Sequence, residues 1–249
     1  MSTTLLIAGG LGVVGAAAAV GYRYALWQMR RFNRLEAQIA CGSRNAEAAA
    51  WLAATIQPSL PLATGSWAAS CDFLALLART ILLHRPRLVL ECGSGSSTVV
   101  AAYALRRAGG GRLVSLDDSE EYAERTRAEL LAHGLTGMAE VRVAPLEPCD
   151  PVDGVAARWY ANGAIQDLDE IDLLVVDGPP ASVDPMARLG ALPVLHERLA
   201  AEGTVLLDDA DRPGERACIA RWQTLYPALR AEFVRAEKGA AVLTWARSA

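Results

Sequence analysis

Four runs of the chain end in side chains able to do chemistry: Glu91-Cys92-Gly93-Ser94-Gly95-Ser96, Leu116-Asp117-Asp118, Val176-Asp177-Gly178-Pro179-Pro180 and Leu207-Asp208-Asp209. Each follows a short apolar stretch, so each carboxylate falls at the carboxyl end of a strand, the edge where open α/β sheets bind ligands. Gly93 and Gly95, between a strand and a helix, let backbone come close to a nucleotide-like ligand. A dinucleotide fingerprint wants a third glycine at position 98, where Thr98 stands, which disfavours a nicotinamide cofactor. Asp117 can accept hydrogen bonds from both hydroxyls of a ribose, since Asp118 or Ser119 is better placed to cap the helix that follows. Asp177, Asp208 and Asp209 form an all-oxygen set at neighbouring strand ends that suits magnesium or another hard divalent ion. Helix capping by Asp208, Asp209 or Asp211 is the structural alternative.

Other reactive side chains are less well placed. His84 and His133 fall near helix ends, where a cation is favourable, and His196 falls inside a helix, so all three read as structural. Cys41, Cys71, Cys92, Cys149 and Cys218 are scattered, odd in number and without metal-ligand spacing, which argues against structural zinc and a disulfide framework. Tyr160, in an irregular stretch before the fourth strand, belongs to the kind of loop that lines an acceptor pocket.

These residues need a scaffold that brings strand ends together, and the hydrophobic pattern supplies one. A helix is expected at Ser70–Leu83, followed by strand Leu88–Glu91, helix Ser97–Arg107, strand Arg112–Leu116, helix Ser119–His133 and strand Glu140–Val143. After the irregular stretch come strand Asp172–Val176, helix Pro185–Ala200, strand Thr204–Leu207 and helix Glu215–Tyr226. Two last strands, Arg230–Arg235 and Ala240–Trp245, are joined by Glu237-Lys238-Gly239. The alternation implies an α/β, mostly parallel sheet with helices on both faces and a closing antiparallel hairpin. A chain of 249 residues with net charge -4 and 52% hydrophobic composition has room for one such domain and is a poor nucleic-acid binder. Lys238 is the single lysine, and no function follows from that.

The series Leu88-Val-Leu-Glu-Cys-Gly-Ser-Gly-Ser-Ser-Thr98, Val114-Ser-Leu-Asp117, Ile171-Asp-Leu-Leu-Val-Val-Asp-Gly-Pro-Pro180 and Gly203-Thr-Val-Leu-Leu-Asp-Asp209 resembles the motifs of class I S-adenosylmethionine-dependent methyltransferases. It is most similar to the small bacterial group that shares features with catechol-type O-methyltransferases. The resemblance runs from about Pro61 to Trp245 and implies a Rossmann-like seven-stranded sheet. It implies that Glu91, Gly93 and Gly95, with Ser97 nearby, hold the methionine end of S-adenosyl-L-methionine, that Asp117 takes the ribose, and that Ala144 and Leu146 border the adenine. Asp177 would face the sulfonium and the acceptor, with Asp209 and Tyr160 as further catalytic candidates and Asp177, Asp208 and Asp209 as ligands for Mg. The resemblance departs in two places: aligning Asp209 with the aspartate of the relatives' Asp-Asn pair leaves Ala210 where asparagine should be, and the lysine placed shortly after the fourth-strand aspartate is missing. The activity implied is O-methylation of a small-molecule or lipid-linked acceptor. A non-catalytic subunit of a membrane complex, using the fold as a docking body, and a nicotinamide-dependent oxidoreductase are the rival functions.

The N-terminal region is read separately. Thr3 to Tyr22 carries no charge, and twenty helical residues span roughly 30 Å, so residues 1–27 are expected to be a transmembrane helix, 28–60 a helical connector and 61–249 the methyltransferase domain. Arg23, Arg30, Arg31 and Arg34 put the following domain in the cytoplasm, giving a single-pass inner-membrane protein with its N-terminus outside. A cleaved signal peptide is the alternative. Ala8, Gly12 and Ala16, with Gly15 and Ala19, recur at four-residue spacing, a Gly/Ala-rich face that other transmembrane subunits could approach.

Overall fold

The computed structural model describes residues 2–64, 68–152 and 154–246, with side chains from residue 21 onward except 151. The chain divides into two compact units, Met1–Arg44 and Asn45–Ala249. The helix α1 (Ser2–Thr55) fills the first unit and enters the second. The expected membrane span lies, up to residue 20, outside the residues whose side chains are described. Among the described residues no helix is long and apolar enough to cross a membrane, and this overturns the expected single-pass membrane localisation. From residue 21 onward α1 carries Arg23, Arg30, Arg31, Arg34 and Glu36 within a few turns.

The second unit is an α/β sandwich. In chain order it contains α2 (Cys71–His84), β1 (Leu88–Cys92), α3 (Ser96–Ala108), β2 (Arg112–Asp117), α4 (Glu120–Ala132), β3 (Ala139–Val143), β4 (Leu146–Val152) and β5 (Val155–Tyr160). It continues with β6 (Ile171–Val176), α5 (Ala191–Leu195), β7 (Leu199–Asp208), α6 (Pro213–Leu225), β8 (Arg230–Val234) and β9 (Ala240–Ala246). Seven strands form one sheet in the order β3-β2-β1-β6-β7-β9-β8, and β4 and β5 pair with each other alone. The first five strands of that order run parallel, while β9 runs antiparallel between β7 and β8. All five residues of β1 are buried, as expected of a central parallel strand covered on both faces. Phe73, Leu74, Leu77, Ala78 and Ile81 recur at helical spacing and bury one stripe of α2 in the core over one face of the sheet, together with Val99, Val100 and Leu105 of α3. Trp159, Leu189, Leu192, Leu195, Ile219 and Trp222 fill the core over the other face.

The seven-stranded sheet and closing hairpin are as expected, but two stretches differ. The stretch read as irregular is the hairpin β4–β5, with Leu146 opposite Tyr160 and Glu147 opposite Trp159. Pro148 and Pro151 interrupt the alternation that would have marked it, and an isolated two-stranded ribbon tolerates them because its edges need no ladder donors. The expected helix Pro185–Ala200 is broken into a 3-10 turn Ala187–Gly190, the short α5 and a second 3-10 turn His196–Arg198, and β7 begins at Leu199. Gly190 and Pro193 explain the break, one through backbone entropy and the other through its missing N–H.

The sheet order reverses between β1 and β6, so chain leaves these neighbouring strands in opposite directions and opens a crevice at their carboxyl ends. The backbone is tied together at that edge. Gly93 N–H donates to Leu116 O (2.9 Å), Asp177 N–H to Cys92 O (2.9 Å) and Ala144 N–H to Asp117 O (2.7 Å).

Candidate functional site

The residues that follow β1 meet those that follow β6. Gly93 has φ +94, and a Cβ there would stand 3.0 Å from the Gly178 nitrogen, so both conformation and space require glycine. A Cβ on Gly95 would meet no protein atom within 4 Å, which leaves the loop open on that side. Glu91 is fully buried; its Oε2 accepts from Thr98 Oγ1 (2.5 Å) and Ser115 Oγ (2.6 Å), while Oε1 has no hydrogen-bond partner among the described residues. Burial pushes the Glu91 carboxyl above the ordinary range, opposed by hydrogen bonds from Ser115, Ser97 and Thr98. Thr98, noted in the sequence only as a departure from a glycine pattern, also accepts from Gly95 N–H (3.0 Å). It therefore joins the loop to the buried acid.

Asp117, at the end of β2, is 6% exposed. Its Oδ2 accepts from Ser94 N–H (3.2 Å) and Ser94 Oγ (2.6 Å), and its Oδ1 accepts from Ser119 N–H (3.0 Å). A carboxylate offers about four lone-pair sites, so Oδ1 keeps capacity for a ligand. Ala144 is buried just beyond β3, and Leu146 is half-buried at the start of β4. Ser97 is buried on the first turn of α3. The sheet thus gathers Glu91, Gly93, Gly95, Ser97, Asp117 and Ala144 along one edge.

Tyr160 is not in a loop but ends β5, 2% exposed and edge-on to Trp159. Its hydroxyl has no hydrogen-bond partner among the described residues and would lie 2.5 Å from a Cβ on Gly178. Burial holds its phenol well above the ordinary range, so it stays protonated. Beside it a cavity of about 620 Å³ has Trp159, Tyr160, Asn162 and Tyr226 among its walls.

Carboxylate oxygens of Asp177, Asp208 and Asp209 lie within 4.8 Å of one another. Burial is the main cause that pushes Asp177 up to about 6 and Asp208 up to about 8; for Asp177 the nearby Arg188 works in the opposite direction. Both carboxylate oxygens of Asp208 and Oδ1 of Asp209 are buried without a hydrogen-bond partner among the described residues. Asp209 adopts φ +59, and Ala210 N–H donates to Gly239 O (3.0 Å), so the turn between β8 and β9 fixes the end of β7.

Arg188 was not anticipated. It is 3% exposed, and its Nη2 donates to Asp209 Oδ2 (2.8 Å) and Asp177 O (3.0 Å) while Nη1 donates to Asp208 O (2.7 Å). The available signal was one charge in the otherwise apolar run Met186-Ala-Arg-Leu-Gly-Ala-Leu, since a buried charge must be paired. The histidines lie elsewhere in the hydrogen-bond network: His133 Nδ1 meets Tyr103 Oη (2.9 Å), and His196 stacks on Tyr226.

The sheet order and the acidic edge define an open α/β domain with its crevice at the switch point, the place where such sheets bind ligands. Residues 90–210 match the model of a family described as a methyltransferase domain. No curated protein matches the chain in sequence. Similar solved structures include an O-methyltransferase from Bacillus cereus in complex with SAH, at 19% identity and TM-score 0.55, covering 82% of this chain and 91% of that one. Cofactor-bound Rv0187 from MTB has 21% identity and TM-score 0.57, covering 82% and 90%. TomG from Streptomyces achromogenes, an O-methyltransferase involved in tomaymycin synthesis and seen with SAM, has 17% identity and TM-score 0.54, covering 82% and 90%. Residues 90–210 therefore resemble a methyltransferase domain, and the chain shares its fold with these solved structures. Neither a nicotinamide-dependent oxidoreductase nor a non-catalytic subunit finds support in these similarities.

Proposed function

We propose that this protein is an S-adenosylmethionine-dependent O-methyltransferase acting on a small-molecule acceptor. The observation that carries the reading is the pair of buried carboxylates, Glu91 and Asp117, at adjacent strand ends around the open glycine loop. The residues fit the cofactor. Glu91 Oε1 is a buried acceptor without a partner, suited to the charged methionine end, with Gly93, Gly95 and Ser97 supplying backbone and hydroxyl groups beside it. Asp117 takes the ribose hydroxyls through its free lone pairs, and Ala144 and Leu146 border the adenine.

S-adenosylmethionine, when bound, supplies a methyl group activated by a sulfonium charge. The chain must hold the acceptor oxygen in line and take its proton. Asp177 suits that task, because a carboxyl pushed up to about 6 is ionised at neutral pH yet basic enough to accept a proton. Tyr160, protonated and unpartnered, is a donor and a wall of the acceptor space. Its cavity, with Trp159 and Tyr226, suits a flat or apolar acceptor. Asp209 is committed to Arg188 and Arg212 through Oδ2, so it orients its neighbours and takes no direct part. Magnesium fits less well: the three carboxylates converge as a cation site would, but a guanidinium already pairs with two of them, Asp177 and Asp209.

The test is calorimetric titration of the purified chain with S-adenosylmethionine, S-adenosylhomocysteine and NADH. Binding of the first two and silence toward NADH is expected. Transfer of labelled methyl to a panel of catechols and other hydroxylated compounds then identifies the acceptor class, and NADH binding alone would overturn the reading.

A further inference from the structure

Three carboxylates on two neighbouring strand ends invite a divalent ion, yet two of them, Asp177 and Asp209, already face a guanidinium. Asp209 Oδ2 lies 2.8 Å from Arg188 Nη2, and Asp177 Oδ1 lies 3.4 Å from the same nitrogen. Nη1 of the same guanidinium binds the Asp208 carbonyl at 2.7 Å, and Nε stands 3.8 Å from Glu215 Oε1. Arg212 reaches Asp209 Oδ2 from the other side at 2.8 Å. An ion bound by Asp177 and Asp209 at the usual ~2.0–2.6 Å would sit against Nη2, and two positive charges a few ångströms apart in a buried site repel strongly.

Arg188 is also held where it is. It belongs to the 3-10 turn Ala187–Gly190, whose Leu189 carbonyl accepts from Trp222 Nε1 (2.8 Å). At the end of the same turn a Cβ on Gly190 would press on the Trp159 indole at 3.0 Å. Two buried tryptophans, one from β5 and one from α6, thus fix the backbone that carries the guanidinium. Its planar fork of donors spans four acceptors at once, two backbone and two side-chain, a task that neither lysine nor a spherical ion performs in the same way.

We propose that Arg188 is a built-in replacement for the divalent ion: it neutralises the acidic edge, positions Asp177, and makes cofactor binding and methyl transfer independent of metal. This rests on the methyltransferase reading above, but its central claim, that the guanidinium excludes a metal ion, stands apart from it. Arg188 is a positioning residue, since it acts through Asp177 and Asp209.

The experiment uses Mn²⁺ as probe, with free ion read by electron paramagnetic resonance, on EDTA-treated full-length protein. The parent protein is expected to bind no Mn²⁺ up to on the order of 1 mM. Arg188→Met, which keeps volume but removes the charge, is expected to acquire one Mn²⁺ site, and that site is expected to disappear in Arg188→Met/Asp177→Asn. Arg188→Lys is expected to stay silent like the parent. Stoichiometric, submillimolar Mn²⁺ binding by the parent would overturn the proposal, as would a folded Arg188→Met that gains no site. If Arg188→Met does not fold by circular dichroism, the parent and Arg188→Lys decide: silence in both supports the proposal, and binding by the parent overturns it. S-adenosylmethionine titrations with EDTA and with excess Mg²⁺ should give the same affinity, and a magnesium requirement refutes metal independence. Absence of S-adenosylmethionine binding under both conditions would strike the functional reading and leave the Mn²⁺ result standing.

Discussion

Gly178→Ala tests the packing of the two loops that form the crevice. The added Cβ would stand 2.5 Å from the Tyr160 hydroxyl, 3.1 Å from Gly93 Cα and 3.2 Å from Gly93 N, where ordinary contact begins at 3.4 Å. Gly178 itself is not in the left-handed region, so the penalty is steric. Tyr160 is 2% exposed and packed on Trp159, and overpacking a tight interior costs about 1–3 kcal/mol. For a chain of this size that is a fall of about 2–4 °C in Tm per kcal/mol. Tyr160→Phe removes the closest obstructing atom. Because that hydroxyl has no partner, its loss alone should be neutral or stabilising by up to about 1–3 kcal/mol. In the double variant the clash with oxygen is gone and only the pressure on Gly93 remains, so a double-mutant cycle from urea unfolding should show coupling of about 1 kcal/mol or more. Calorimetry should show weaker S-adenosylmethionine binding in Gly178→Ala, because the Cβ pushes on the Gly93 backbone. Two results would refute the reasoning: a Gly178→Ala protein as stable as its parent, or a cycle in which the two changes simply add.

Three further outcomes are expected. Asp117→Ala should weaken S-adenosylmethionine binding by about 1–3 kcal/mol, and unchanged affinity in a folded variant would remove Asp117 from the cofactor site. Asp177 and Asp208, pushed up to about 6 and about 8, hold protons in the folded state that the unfolded chain releases near pH ~4. Their contribution is full below that pH and is lost as pH rises through 6 and then 8, with a slope of up to about 1.4 kcal/mol per pH unit per proton. Asp208→Asn, always neutral, should flatten the upper part of that profile in denaturation measured across pH, and an unchanged slope would show that Asp208 is not the group. Deleting residues 1–44 should leave a folded protein that still binds cofactor, because the compact unit starts at Asn45. Deleting 1–60 should instead lower Tm markedly in a thermal melt, since Ala48, Leu52 and Ile56 belong to the core and a buried leucine alone is worth about 2–5 kcal/mol.

The carboxylate positions and the α/β alternation show where sequence is enough. Glu91, Asp117, Asp177 and Asp208 each close an apolar run of strand length, and a parallel sheet puts all such endings on one edge whatever the packing details. The glycine at 93 and the closing hairpin were legible for the same reason, since local pattern and backbone allowance decide them. The N-terminal segment misled because length and flanking charge suggested a span, whereas among the described residues no helix is long and apolar enough to cross a membrane. Tertiary structure decided the rest. The hairpin β4–β5 has prolines where alternation should be, so only its pairing reveals it, and with it the burial of Tyr160 against Gly178. Arg188 lies 11 residues from Asp177 and 21 from Asp209 in sequence, within a segment read as an ordinary helix. Its place among the acids depends on Gly190, Pro193 and two distant tryptophans that bend and clamp that segment. Sequence determined which charges reach the edge of the sheet; long-range packing decided which of them meet, because a buried ion pair is fixed by the surfaces around it and leaves no periodic trace in the chain.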